Sequence, residues 1–113
     1  MENYRQWLGK KVKVIMDRPL GSRHPDFPNC IYAVNYGFLL GTNSDVDNEA
    51  IDAYVLGPDV PLKEFGGIVI AIVVRQDSEI KLIVSDGRSL TSQEIEKAID
   101  FQEQYHHHRL ILA

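Results

Sequence analysis

Apolar side chains recur at two different periods along this chain, and the change of period separates a series of strands from a helix. Lys11-Val12-Lys13-Val14-Ile15-Met16 begins in alternation and is rich in β-branched residues, which predicts a strand that stops at Asp17-Arg18-Pro19. Ile31 to Tyr36 is a short β-prone run ended by Gly37, and Ala53 to Leu56 is another, ended by Gly57-Pro58. Ile68 to Val74 is continuously apolar, as a strand must be when it is buried on both faces or lines a closed barrel. Glu79 to Val84 pairs with it across the turn Arg75-Gln76-Asp77-Ser78. From Thr91 the period lengthens. Thr91 and Glu94 form a capping box, and Ile95, Ala98, Ile99, Gln102 and Tyr105 fall on or near one face of a helix of about four turns. Leu110-Ile111-Leu112 is expected to close the sheet or dock on it. Leu20 to Asn29 has loop composition, and Pro58 to Gly67 reads as a connection because of its prolines and its Gly-Gly pair. Several short strands followed by one helix predict an α+β domain: a small closed or partly open antiparallel β-barrel with one C-terminal helix.

Length and composition narrow this picture. The 113 residues suit one domain spanning 1–113, and 44 % hydrophobic with 25 % charged residues is ordinary for a soluble globular protein. A net charge of −4 argues against nucleic-acid or anionic-membrane partners, so an anionic substrate needs local cations or metal ions. Cys30 is the one cysteine, which excludes an internal disulfide and a thiolate metal site and fits a reducing, cytoplasmic compartment. The N-terminus lacks a signal-peptide layout, and Ile68 to Val74 is too short to span a membrane.

The chemistry concentrates between Asn35 and Leu56. Asp45, Asp47, Glu49 and Asp52 follow an aromatic turn and run directly into an apolar segment. In extended backbone Asp45, Asp47 and Glu49 project to one side, and a bend near Ala50 would bring Asp52 to them. Carboxylates gathered this way raise one another's pKa unless a cation sits among them, and Mg²⁺, which takes oxygen ligands and keeps several waters, suits such a set. An EF-hand loop is excluded, because Ala50 stands at the glycine position and Leu56 at the bidentate glutamate position. An acidic turn between two strands explains the same residues, and both readings stay open at this point. Arg18, Arg23 and His24 are candidate anion ligands; the alternative is a solvated basic loop.

Tyr32-Ala33-Val34-Asn35-Tyr36-Gly37, Gly41-Thr42 and Asp47-Asn48-Glu49-Ala50-Ile51-Asp52 resemble, in order and spacing, segments of the soluble magnesium-dependent inorganic pyrophosphatases. In that family the segments read Tyr-Pro-x-Asn-Tyr-Gly, Gly-Thr and Asp-Gly-Asp-Pro-x-Asp; here one extra residue separates Thr42 from Asp47. Asp77 with Glu79-Ile80-Lys81 resembles the family's later acidic motif in shortened form. Phe101 to His106 is similar to the family's Phe-x-x-x-Tyr-Lys, and Asp17 to Arg23 to its Glu-Ile-Pro-x-Gly-Ser-Arg. The region after Arg23 departs from the pattern. A lysine, a glutamate and a hairpin arginine are absent, the whole stretch is reduced to His24 to Ile31, and His106 replaces the final lysine. The chain looks like a compact relative without the C-terminal extension.

The resemblance implies an OB-like barrel of the pyrophosphatase type and a metal-dependent hydrolase of phosphoanhydride bonds, with pyrophosphate split to two phosphates by a metal-activated water. It implies Asp47, Asp52, Asp77 and Glu79 as ligands for Mg²⁺, with Mn²⁺ as the alternative. Glu49 would accept or orient the proton of the attacking water, Asp52 would bridge towards a second ion, and Tyr36, Lys81 and Tyr105 would contact phosphate. Arg18, Arg23 and His106 enter on charge need, as substitutes for the absent cations. The expected partner is a small phosphate-containing substrate, with no nucleic acid and no membrane, and a homo-oligomer is in keeping with the family. Two alternatives accompany this reading: a non-catalytic module binding metal with phosphate or nucleotide, and a hydrolase of a larger diphosphate.

Overall fold

A computed structural model describes residues 4–41 and 50–113. Asp45, Asp47 and Glu49 lie outside the described residues. A short 3-10 turn, Tyr4–Trp7, precedes β1 (Lys11–Arg18), β2 (Asn35–Leu39), β3 (Asp52–Val55), β4 (Glu64–Arg75), β5 (Ile80–Ser85), α1 (Ser92–Glu103) and β6 (His108–Leu112).

The strands β1-β2-β3-β5-β4 form a ring that closes where β4 pairs with β1. The 12-residue length of β4 makes the closure. One edge of β4 carries β5, while the other pairs β1 along Glu64–Ile68 and β6 along Ala71–Arg75, so β6 lies outside the ring. The expected closed barrel and C-terminal helix are both present. The ring is mixed, because β4 lies between β3 and β5 in sequence but on the far side of β5 in space, which makes β3 and β5 parallel. The Gly66-Gly67 pair, expected in a connection, lies inside β4. At Gly67 a Cβ would come within 2.4 Å of the Ser85 carbonyl oxygen, so the close β4–β5 approach requires glycine there.

The apolar run of β4 is buried on both faces. A bulge between Val69 and Ala71 turns Val69, Ile72 and Val74 into the barrel interior with Val14, Leu39, Val55, Leu82 and Val84. Ala71 and Val73 face outwards and, with Tyr54 and Ile83, pack under Ile95 and Ile99 of α1. β2 begins at Asn35, later than β-propensity alone predicts; Ile31 makes only an isolated bridge to Arg23. The buried Asn35 side chain sets this boundary. Its Oδ1 accepts from the backbone N–H groups of Leu20 (2.9 Å) and Leu62 (3.0 Å), and its Nδ2 donates to the Val60 carbonyl (2.9 Å), tying two loops to the strand start.

The capping box forms as expected, with the Glu94 N–H on Thr91 Oγ1 (3.1 Å) and the Thr91 N–H on Glu94 Oε1 (2.9 Å). Thr91→Ala is therefore expected to lower stability by about 1 kcal/mol, read as a shift in urea midpoint at unchanged slope. The helix spans 12 residues and ends at Glu103, shorter than the four turns expected, so Tyr105 falls beyond it and is exposed.

His108 of β6 joins this helix to the sheet, with Nε2 2.7 Å from Glu96 Oε1 and Nδ1 3.0 Å from the His106 carbonyl. Partial burial opposes the imidazolium, but the bonds to Glu96 and His106 outweigh it and raise the pKa above the usual 6.5. A raised folded-state value means this contact stabilises fully below that usual value and is lost as pH rises through the folded one. The stability difference between the protein and His108→Asn is thus expected to be largest in mild acid and to shrink in alkali; urea titrations across that range check it. Among the described residues no helix is long and apolar enough to cross a membrane.

Candidate active site

Strand alternation and one parallel register assemble the site. Along β3, Ala53 and Val55 point into the barrel, leaving Asp52 and Tyr54 outside; along β5, Leu82 and Val84 point inwards, leaving Lys81 and Ile83 outside. The parallel pairing sets Asp52 level with Lys81, and the β2–β3 pairing sets Tyr36 level with Tyr54. Tyr36, Asp52 and Lys81 therefore share one patch on the outer face. The Tyr36 hydroxyl donates to Asp52 Oδ2 (2.8 Å), and Lys81 Nζ donates to the Tyr36 hydroxyl oxygen and lies 3.2 Å from Asp52 Oδ2. Lys81 is only 3 % exposed, whereas a third of the Asp52 side chain reaches solvent. Burial, followed by the Asp52 charge and hydrogen bond, pushes the Tyr36 phenol well above its usual 10.0, so it stays a donor.

Two further carboxylates border this patch. Asp17 is the bulged residue of β1, where pairing passes from Met16↔Gly37 to Arg18↔Tyr36. Burial raises its pKa; Arg18 opposes that rise, and the nearby Asp52 adds to it. Glu79 lies on the other side, with Oε1 3.9 Å from Lys81 Nζ and Oε2 3.6 Å from Arg75 Nη1. The Glu79 N–H donates to Asp77 Oδ1 (3.0 Å), which shapes the β4–β5 turn.

The remaining expected residues are more scattered. Asp77, Tyr105 and His106 line a recess of about 360 Å³ with Arg75, Gln76 and His107. Arg18 donates to the Asp17 carbonyl (2.9 Å) and lies close enough to Tyr32 to oppose the burial that raises its pKa. Arg23 donates to the Pro28 carbonyl (2.9 Å) within its own loop. Asp47 and Glu49 lie outside the described residues. The structure thus brings Tyr36, Asp52, Lys81 and Glu79 together and adds Asp17. Asp17 was legible only as the acid ahead of Pro19-x-Gly-Ser; nothing local marks it as close to Asp52.

A second polar cluster lies beneath Glu79. Glu103 of α1 is fully buried and accepts from Arg75 Nε (3.0 Å), Arg75 Nη2 (2.6 Å) and the Tyr54 hydroxyl (2.5 Å). Burial works against its carboxylate, but these bonds outweigh it and hold the pKa below the usual carboxylate range. The sequence signal was its spacing: Glu103 continues the i, i+4 series from Ile95 and Ile99, which places it on the buried face.

Among the described residues no group of three or more His, Cys, Asp or Glu side chains is gathered closely enough to hold a metal ion. The chemistry of the donors nonetheless suits a hard divalent cation. Asp52 and Glu79 offer only oxygen, and the charge of Asp52 acting on Asp17 is a repulsion that a cation would relieve.

No protein-family model matches this chain, and no curated protein does. The fold is similar to several solved structures. An inorganic pyrophosphatase from Ehrlichia chaffeensis superposes with a TM-score of 0.71 at 14 % identity, covering 93 % of this chain and 87 % of that one. An inorganic pyrophosphatase from Neisseria gonorrhoeae gives 0.61 at 18 % identity, over 86 % of this chain and 74 % of that one. The Helicobacter pylori inorganic pyrophosphatase gives 0.58 at 15 % identity, over 92 % and 82 %. The likeness at these identities is one of architecture: this chain has the barrel-and-helix fold of inorganic pyrophosphatases.

Proposed function

We propose that the chain is a divalent-metal-dependent hydrolase of phosphoanhydride bonds, with inorganic pyrophosphate as substrate and the cytoplasm as its site of action. The carrying observation is the Tyr36–Asp52–Lys81 cluster, set on one outer face by the parallel β3–β5 register of a pyrophosphatase-type barrel. Lys81 supplies a fixed positive charge and Tyr36 a proton donor for phosphate oxygens. Asp52 and Glu79, with Asp47 and Asp77, are the oxygen donors for Mg²⁺ or Mn²⁺. When bound, the metal acidifies a water and offsets charge on both phosphoryl groups. Glu49 takes the role of accepting the proton from that water or orienting it. Tyr105, with Arg18, Arg23 and His106 as replacement cations, would supply further contacts to phosphate oxygens.

Phosphate release from pyrophosphate, a nucleoside diphosphate and a phosphomonoester, each with Mg²⁺, tests this reading. Turnover of pyrophosphate alone is expected. Preference for the nucleoside diphosphate would move the assignment to a larger diphosphate. No release from any substrate, with metal and pyrophosphate still bound, would leave a non-catalytic binding module.

A further inference from the structure

The Glu103–Arg75–Tyr54 cluster is more than is needed to hold α1 on the barrel. A buried ion pair is poor at stabilising a fold, because desolvating two charges offsets most of their attraction and apolar residues of similar volume often do as well or better. Ile95 and Ile99 already bury the helix on the sheet. The guanidinium of Arg75, moreover, does not spend all its donors on Glu103. Nε and Nη2 form the fork on that carboxylate, while Nη1 faces Glu79 at 3.6 Å. Glu79 in turn faces Lys81, which contacts Asp52. Charges of alternating sign thus run from the helix interface to the cluster on the outer face.

The geometry points to Arg75 as a positioning residue: locked by Glu103, which the Tyr54 hydroxyl also holds, it keeps the Glu79 carboxylate against Lys81 at the edge of the active site. This rests on the proposed function only in taking Glu79 and Lys81 as site residues. Arginine is required because one planar fork must satisfy Glu103 through two donors and still present a third nitrogen to Glu79. The helix thereby becomes a structural support of the site, through its last residue.

Arg75→Lys tests this, since lysine keeps the charge opposite Glu103 but cannot reach Glu79 as well. A crystal structure of this variant without metal is expected to show the Glu79 carboxylate displaced from Lys81 while α1 stays in place; an unmoved Glu79 would overturn the proposal, whatever the chain's activity. In solution, Mn²⁺ affinity and pyrophosphate kcat are each expected to fall about 10- to 100-fold with little change in melting temperature. Adding Glu79→Gln to Arg75→Lys is expected to cost little more than either change alone. Additive losses would mean that Arg75 acts independently of Glu79, and would also overturn the proposal. If Arg75→Lys fails to fold, the triple variant Tyr54→Phe/Arg75→Met/Glu103→Leu removes the cluster without leaving an orphaned charge, and the same displacement of Glu79 decides the matter. Absence of turnover or Mn²⁺ binding in the unaltered protein would count against the proposed function, and the crystallographic comparison would still judge the role of Arg75.

Discussion

Asp52→Asn is expected to lower pyrophosphate turnover by about 10²- to 10³-fold in a chain that still folds. The magnitude is that of removing one preorganised electrostatic contact from a reacting phosphoryl centre. Asparagine occupies the same volume and its carbonyl oxygen can still accept from Tyr36 and Lys81, so the β2–β3–β5 packing is preserved. What disappears is a negative charge that Lys81, buried at 3 % exposure, otherwise faces at 3.2 Å. The stability cost is expected to be on the order of 1–2 kcal/mol, because Glu79 stays near Lys81 and Asp52 is partly solvated. Steady-state phosphate release together with urea unfolding separates the two effects. Wild-type turnover in this variant would remove Asp52 from the proposed metal ligands.

Gly37→Ala is expected to have the largest effect on the fold. A Cβ at this position would lie 1.9 Å from the Ile15 carbonyl oxygen and 2.7 Å from Ile15 C and Met16 Cα, all of them backbone atoms of β1. No rotamer change can relieve such a contact, so β1 and β2 would have to separate beside the bulge that carries Asp17. The expected loss is about 3 kcal/mol or more, a large share of the roughly 5–15 kcal/mol that holds a domain of this kind together. Expression level and urea midpoint report it, and a soluble variant with an unchanged midpoint would contradict the tight β1–β2 approach. Because Tyr36 is the neighbouring residue, any variant that survives should also lose the Tyr36–Asp52 bond.

What could be read from the sequence was governed by local physics. The run Ile68 to Val74 was legible as buried on both faces because an unbroken apolar strand admits few other placements. The Thr91–Glu94 cap was legible because its partners are three residues apart. Features set by distant partners were not. β2 starts at Asn35 because that side chain binds Leu20, Val60 and Leu62, and no β-propensity of Ile31 or Tyr32 contains that information. Gly66-Gly67 reads as part of a connection until the approach of Gly67 to Ser85 is known. Tyr105 was placed on the apolar helix face, but the helix ends before it and it is 74 % exposed.

The site follows the same division. Asp52 stood out as one of the clustered acids and Tyr36 and Lys81 by resemblance, and their assembly depends on a parallel register that no local period encodes. Arg75 and Glu103 have charged side chains that on composition alone belong in solvent, and only their mutual pairing explains their burial.

The most direct measurement is ³¹P NMR of pyrophosphate incubated with the protein, first with Mg²⁺ and then after addition of EDTA. The pyrophosphate signal is expected to convert fully to inorganic phosphate with Mg²⁺ and to stop converting once the metal is removed. A pyrophosphate signal that persists unchanged in the presence of folded protein and Mg²⁺ would contradict the assignment of this barrel face as a phosphoanhydride hydrolase site.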